Sequence, residues 1–155
     1  MIYSNVGTIS SFFLSKASMS NKKLQKLLYY AYSWTLARLN ECEVGIENFL
    51  FEEKFEAWVH GPVCPPAYHM FKEHGWRDIP MAQAPTDIAQ DVLDILEQVW
   101  GVYGGYTADE LEDISHLERP WIAARAGLSP FDPCNIRIDD KLIYEYFVSA
   151  GSHAS

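Results

Sequence analysis

Residues 20–34, SNKKLQKLLYYAYSW, and residues 51–76, FEEKFEAWVHGPVCPPAYHMFKEHGW, decide how this chain folds. Ser20 is a good N-cap, and Leu24, Leu27, Leu28, Ala31, Trp34 and Thr35 recur at three- and four-residue steps, which predicts an amphipathic helix ending near Asn40. A loop holding Gly45 follows, and the alternation of Phe55, Ala57 and Val59 predicts a short strand within residues 51–59. Gly61-Pro62-Val63 reads as a turn, and Pro65-Pro66 supplies the φ values of a helix start that carries Tyr68 and Phe71 as far as Gly75.

On either side the pattern stays helical. Val6, Ile9, Phe12 and Phe13 predict a first helix from near Ser4 to Lys16. Beyond a connection containing Pro80 and Pro85, Ile88, Val92, Ile95, Leu96 and Val99 form one apolar stripe of a helix starting at Thr86 and ended by Gly101, Gly104 and Gly105. Thr107 and Glu110 spell a capping box, after which Leu111, Ile114 and Leu117 are expected to face inward until Pro120. A short helix over residues 121–125 and a last one over residues 139–148 complete the pattern. The fold class is mainly α: a compact single-domain helical bundle with a short β-hairpin or extended arm near residues 50–59. One domain is expected over residues 1–149, with a short flexible tail at residues 150–155.

Composition agrees. With 155 residues, 48% hydrophobic and 21% charged, the chain can bury one core of its own. Its apolar runs are far shorter than the roughly 20 residues that span a bilayer. The start, MIYSNVGTIS, lacks the charged and apolar segments of a signal peptide, so a cytoplasmic protein without membrane partners is expected. Cys42, Cys64 and Cys134 are widely spaced with no C-x-x-C, which suits reduced thiols rather than a disulfide framework.

The net charge of −9 is concentrated. Nine acidic residues and no Lys or Arg lie between Asp87 and Glu118, leaving twelve of the 21 acidic residues to balance the 12 basic ones elsewhere. Such a stretch repels phosphates and attracts basic partners, and it also serves as a solvated helix face. Lys16, Lys22, Lys23 and Lys26 form a basic cluster, but four lysines in an acidic chain without a helix-turn-helix pattern argue against direct nucleic-acid binding.

Catalytic patterns are weak. His60, Cys64, His69 and His74 have zinc-ligand chemistry, yet prolines interrupt them and their spacing is awkward for one helix face, so no metal is expected. Cys64 has no local nucleophile motif and reads as a structural thiol, while Glu52 and Glu56 flanking Lys54 look like an edge made soluble. No enzyme and no cofactor emerge. Aromatic residues make up 14% of the chain, however, and Tyr and Trp dominate protein-interface hot spots.

Three segments together resemble a known family. Lys23-Leu24-Gln25-Lys26-Leu27-Leu28-Tyr29-Tyr30-Ala31 looks like the K-L-x-K-L-L-Y-Y-A helix of the Panacea antitoxin domain family, Glu56-Ala57-Trp58-x-x-Gly61-Pro62-Val63 its E-A-W-x-x-G-P-V core, and Ser115-His116 through Pro120-Trp121 its S-H-x-x-x-P-W segment. SocA-type proteolytic adaptors and GepA-like phage-associated proteins belong to this family. The resemblance implies an antitoxin that binds a cognate protein toxin directly, or in the SocA branch delivers it to an ATP-dependent protease; it also implies that the toxin's identity is not written in this chain. A partner-binding surface is expected from Lys23, Lys26, Tyr29, Tyr30, Glu56, Trp58, His60, Gly61, Pro62, Val63, His116, Pro120 and Trp121, with Trp58 and His60 flanking the turn and Trp121 the more structural tryptophan. A phage-associated enzyme, marked by convergence of His60, Cys64 and His116, and a transcriptional regulator are the alternatives.

Overall fold

The computed structural model describes residues 1–154, in which seven helices surround two small antiparallel strand pairs. Helix α1 spans Val6–Lys16 and begins two residues later than the sequence pattern suggests, because the Asn5 side chain accepts the Thr8 N–H and caps it. Strand β1, Met19–Ser20, leads directly into α2, Asn21–Leu39, whose N-cap is Ser20 as expected.

Helix α2 is the axis of the fold. It packs against α1, α3, α4, α5 and α7. Leu24, Leu27, Leu28, Tyr29, Tyr30, Tyr32 and Leu36 are all fully buried, and so are the polar Gln25, Ser33 and Thr35. The expected amphipathic stripe is thus replaced by burial around nearly the whole circumference, as happens when a helix runs through a core. Two of its three tyrosine hydroxyls are paired in place: Tyr30 donates to Glu118 at 2.9 Å, and Tyr32 donates to Asp140 at 2.8 Å while accepting from Lys54, whereas the buried Tyr29 hydroxyl has no hydrogen-bond partner among the described residues. The Tyr30 and Tyr103 rings stack with centroids 4.0 Å apart.

The arm expected near residues 50–59 is a hairpin. Strand β2, Glu56–Trp58, pairs with β3, Gly61–Val63, in the register Glu56 to Val63, Ala57 to Pro62 and Trp58 to Gly61. Gly61-Pro62-Val63 is therefore the second strand and the turn lies at Val59-His60, because Gly61 reaches a φ of 103° that other residues rarely adopt. Helix α3, Pro65–Phe71, starts on the prolines and passes through one 3₁₀ turn, Lys72–His74, to Gly75. Strand β4, Asp78–Ile79, then pairs with β1.

Helix α4, Gln90–Tyr103, starts four residues after Thr86 and runs through Gly101; Val92, Ile95, Leu96 and Val99 form its buried side. Helix α5, Ala108–His116, has both hydrogen bonds of the predicted capping box. Leu117 contradicts its assignment: it is 82% exposed, since the helix ends at His116 and the chain turns. Helices α6, Arg119–Ala124, and α7, Asp140–Ala154, complete the bundle; α7 continues past Val148, and Ser155, the end of the expected tail, lies outside the described residues. Among the described residues no helix is long and apolar enough to cross a membrane.

Candidate functional site at the hairpin pocket

The three motif segments, far apart in the chain, meet beneath the hairpin. Lys26 projects from α2 and is 1% exposed; its Nζ donates to the Pro62 carbonyl of β3 at 3.1 Å. Gly61 lies so close that a Cβ there would stand 2.6 Å from Lys26 Cε and 3.0 Å from Ser115 Oγ of α5. Only glycine fits, on both conformation and space. On the far side of the hairpin Trp121 Nε1 donates to the Trp58 carbonyl at 2.9 Å, and its ring stacks on His116 at 4.0 Å.

Arg125, which the sequence pattern does not single out, locks this assembly. Its guanidinium is 5% exposed and donates to the carbonyls of Ala57 at 2.9 Å, Ser129 at 3.1 Å and Asp132 at 2.6 Å. The residue thereby ties the hairpin to α6 and to the loop carrying Pro133 and Cys134. A fixed fork of donors makes arginine suited to holding several carbonyls at once.

Between α2, the hairpin, Tyr68 and the Pro133-Cys134 loop lies a pocket of about 380 Å³. Its walls are mainly apolar, with Trp58, Val63 and Tyr68 forming much of them and Lys26 and Gln25 at the α2 side. Trp58 meets Tyr68 edge to face at 5.1 Å and donates its indole N–H to Glu56 at 2.9 Å. At the rim, Glu112 of α5 bridges Lys22 at 2.6 Å and His60 Nδ1 at 3.2 Å. Gln25 closes the back: its Oε1 accepts the Cys64 N–H and its Nε2 donates to Asn21.

Burial dominates the ionisation of this region. It lowers the Lys26 ammonium to about 7, with the nearby Lys22 charge acting the same way and Glu112 opposing. Burial raises the Glu118 carboxyl to about 7 even though Tyr30 donates to it. It also depresses His116 and pushes the Cys64 thiol up to about 11, so that thiol stays protonated at neutral pH.

The expected contact residues divide accordingly. Glu56 and Trp58 are half-buried at the pocket, His60 is exposed on the turn, and His116 is half-buried against Trp121. Tyr29 and Tyr30 are 0% exposed, and Gly61, Pro62, Pro120 and Trp121 are buried too, so these frame the surface rather than form it, while Lys26 and Val63, also buried, belong to the pocket wall. Lys23 stands apart: its Nζ donates to the Gly104 carbonyl at 2.7 Å and lies over Trp100. Cys64 and His116 do not line the pocket that His60 borders. Lys22, Tyr68, Glu112 and Arg125 were missed; Lys22 stood in the basic cluster, but nothing in the sequence tied it to Glu112.

The family model described as "Antitoxin SocA-like, Panacea domain" matches residues 24–122, from the second residue of the α2 motif to just past Trp121. The chain is similar to "Antitoxin SocA" of Caulobacter vibrioides (strain NA1000 / CB15N), at 29% identity over 157 aligned positions covering 90% of this chain and 80% of the relative. No solved structure matches it. A family match over most of the chain, with the three motif segments joined around one hairpin, leads to one conclusion: the protein belongs to the SocA-like antitoxin family and carries a Panacea domain.

Proposed function

We propose that this protein is an antitoxin that neutralises a cognate protein toxin by stoichiometric binding at the hairpin face, with no turnover of its own. The observation that carries this reading is the convergence of the family motifs on a rigid hairpin whose rim offers Trp58, His60 and Tyr68 beside a pocket. A half-buried tryptophan edged by polar groups is the composition of an interface hot spot. The face is also preorganised: Lys26, Trp121 and Arg125 fix the hairpin from behind, so little ordering cost is left for binding.

Co-expression with the product of the adjacent reading frame tests the proposal. The two proteins should co-purify in equal amounts and growth should be restored. A Trp58→Ala, His60→Ala double variant that melts within a few degrees of wild type should lose both. If the chain binds and neutralises no product of its own operon, the proposal fails. Masking and delivery to an ATP-dependent protease separate in a host lacking that protease, where rescue persists only under masking.

A further inference from the structure

Lys26 is a buried amine that forms no ion pair among the described residues. Its Nζ carries three N–H donors, and the Pro62 carbonyl takes one of them. Charged groups act on it from two elements, Lys22 from the preceding turn of α2 and Glu112 and His116 from α5, while His60 of the hairpin turn reaches Glu112 instead. Glu112, the carboxylate among them, is already committed to Lys22 at 2.6 Å and His60 at 3.2 Å. Among the described residues no carboxylate lines the pocket that Lys26 borders, although the chain as a whole carries a net charge of −9. An isolated buried ammonium is costly, and the cost is relieved when an anion arrives with hydrogen-bond geometry.

The rest of the pocket specifies what the anion is attached to. Trp58, Val63 and Tyr68 present apolar and aromatic surface, and about 380 Å³ suits a small organic group rather than an inorganic ion alone. We propose that this pocket is a receptor for a carboxylate borne on an apolar body, with Lys26 as its counterion. The inference stands on the pocket and does not require toxin capture. The carboxylate arrives either as a free organic acid or on a side chain or terminus of a protein partner.

The probe is 3-phenylpropionate, titrated into the full chain and followed by calorimetry and ligand-observed NMR, beside 3-phenylpropionamide. The acid should bind at millimolar concentration or below and the amide at least about tenfold more weakly, because a charge-assisted hydrogen bond is lost. Affinity should fall at least about tenfold between pH 6.5 and pH 8.5 as Lys26 loses its proton. His60→Gln should keep that pH profile, which assigns it to Lys26, and Lys26→Met should abolish the preference for the acid. Toxin affinity measured on the wild-type chain and on Lys26→Met then identifies the source: a loss with Lys26→Met and with rising pH that matches the probe's means the toxin supplies the carboxylate, and a toxin affinity indifferent to both means a free acid does. Absence of binding, equal binding of the amide, or a pH-independent affinity of the wild-type chain overturns the inference, and each is read without any toxin.

Discussion

Replacing Lys26 by Met tests the energetic basis of the site. Methionine is nearly isosteric and removes the ammonium. Burial lowers the Lys26 pKa from 10.5 to about 7, so between those values the unfolded chain holds a proton that the folded chain has released. Folded stability therefore rises with pH in that window, and this contribution is lost as pH falls toward 7. At one kcal-scale step per pH unit, 1.36 kcal/mol, the rise attributable to Lys26 is about 2 kcal/mol between pH 7 and pH 9. Lys26→Met should flatten the stability profile by that amount. Near pH 6 the variant escapes the cost of a buried charge but leaves the Pro62 carbonyl unpaired, at about 1–3 kcal/mol, so its stability there should be close to wild type or above it. Urea denaturation of both proteins at half-unit intervals from pH 6 to pH 9 measures this. If the two profiles run parallel, Lys26 is not titrating in the folded protein and the electrostatic account of the pocket is wrong.

Further outcomes are expected. Glu118→Gln should abolish a fall in stability of up to about 3 kcal/mol that wild type shows as pH rises from 4.5 to 7, since the buried carboxyl keeps its proton over that range while the unfolded chain loses it; the same urea series at lower pH measures it. Gly61→Ala combines a φ of 103° with a Cβ 2.6 Å from Lys26 Cε, and should lower the melting temperature by roughly 5–10 °C, whereas Gly45→Ala, with φ of 77° but open space, should cost less. Neutralising Asp91, Asp94, Asp109 and Asp113, all exposed, should slow toxin association at low salt while leaving the melting temperature nearly unchanged; stopped-flow rates indifferent to salt and to these replacements would mark the stretch as a solvated face.

Local chemistry was legible in the sequence wherever neighbours along the chain settle it. Ser20 and Thr107 act as caps, Pro65 starts α3, and the stripe of α4 is buried as its spacing requires. What failed needed the third dimension. Lys22, Lys23 and Lys26 are alike in sequence, yet one bridges α5, one holds the end of α4 and one is buried, because a turn of α2 points each at a different neighbour. Glu118 sits in an acidic run but lies inside, held by Tyr30. The strand character of Gly61-Pro62-Val63 was hidden because glycine and proline argue for a turn, and only pairing with Glu56-Ala57-Trp58 overrides that. Arg125 gave no signal, since its carbonyl partners, Ala57, Ser129, Pro130 and Asp132, are set by how α6, the hairpin and the following loop come together.

The burial of α2 has a consequence for how such antitoxins diversify. The helical motif is interior, and Lys26, Gly61 and Trp121 serve the hairpin from within. Those positions answer to folding whatever the partner. If the toxin docks at the hairpin face as proposed, recognition falls to a few side chains at the rim, Trp58, His60 and Tyr68 with the Lys22-Glu112 pair beside them. Partner choice can then be rewritten at the rim while the interior stays fixed, so a library varying only those positions should yield chains that fold alike and capture different targets.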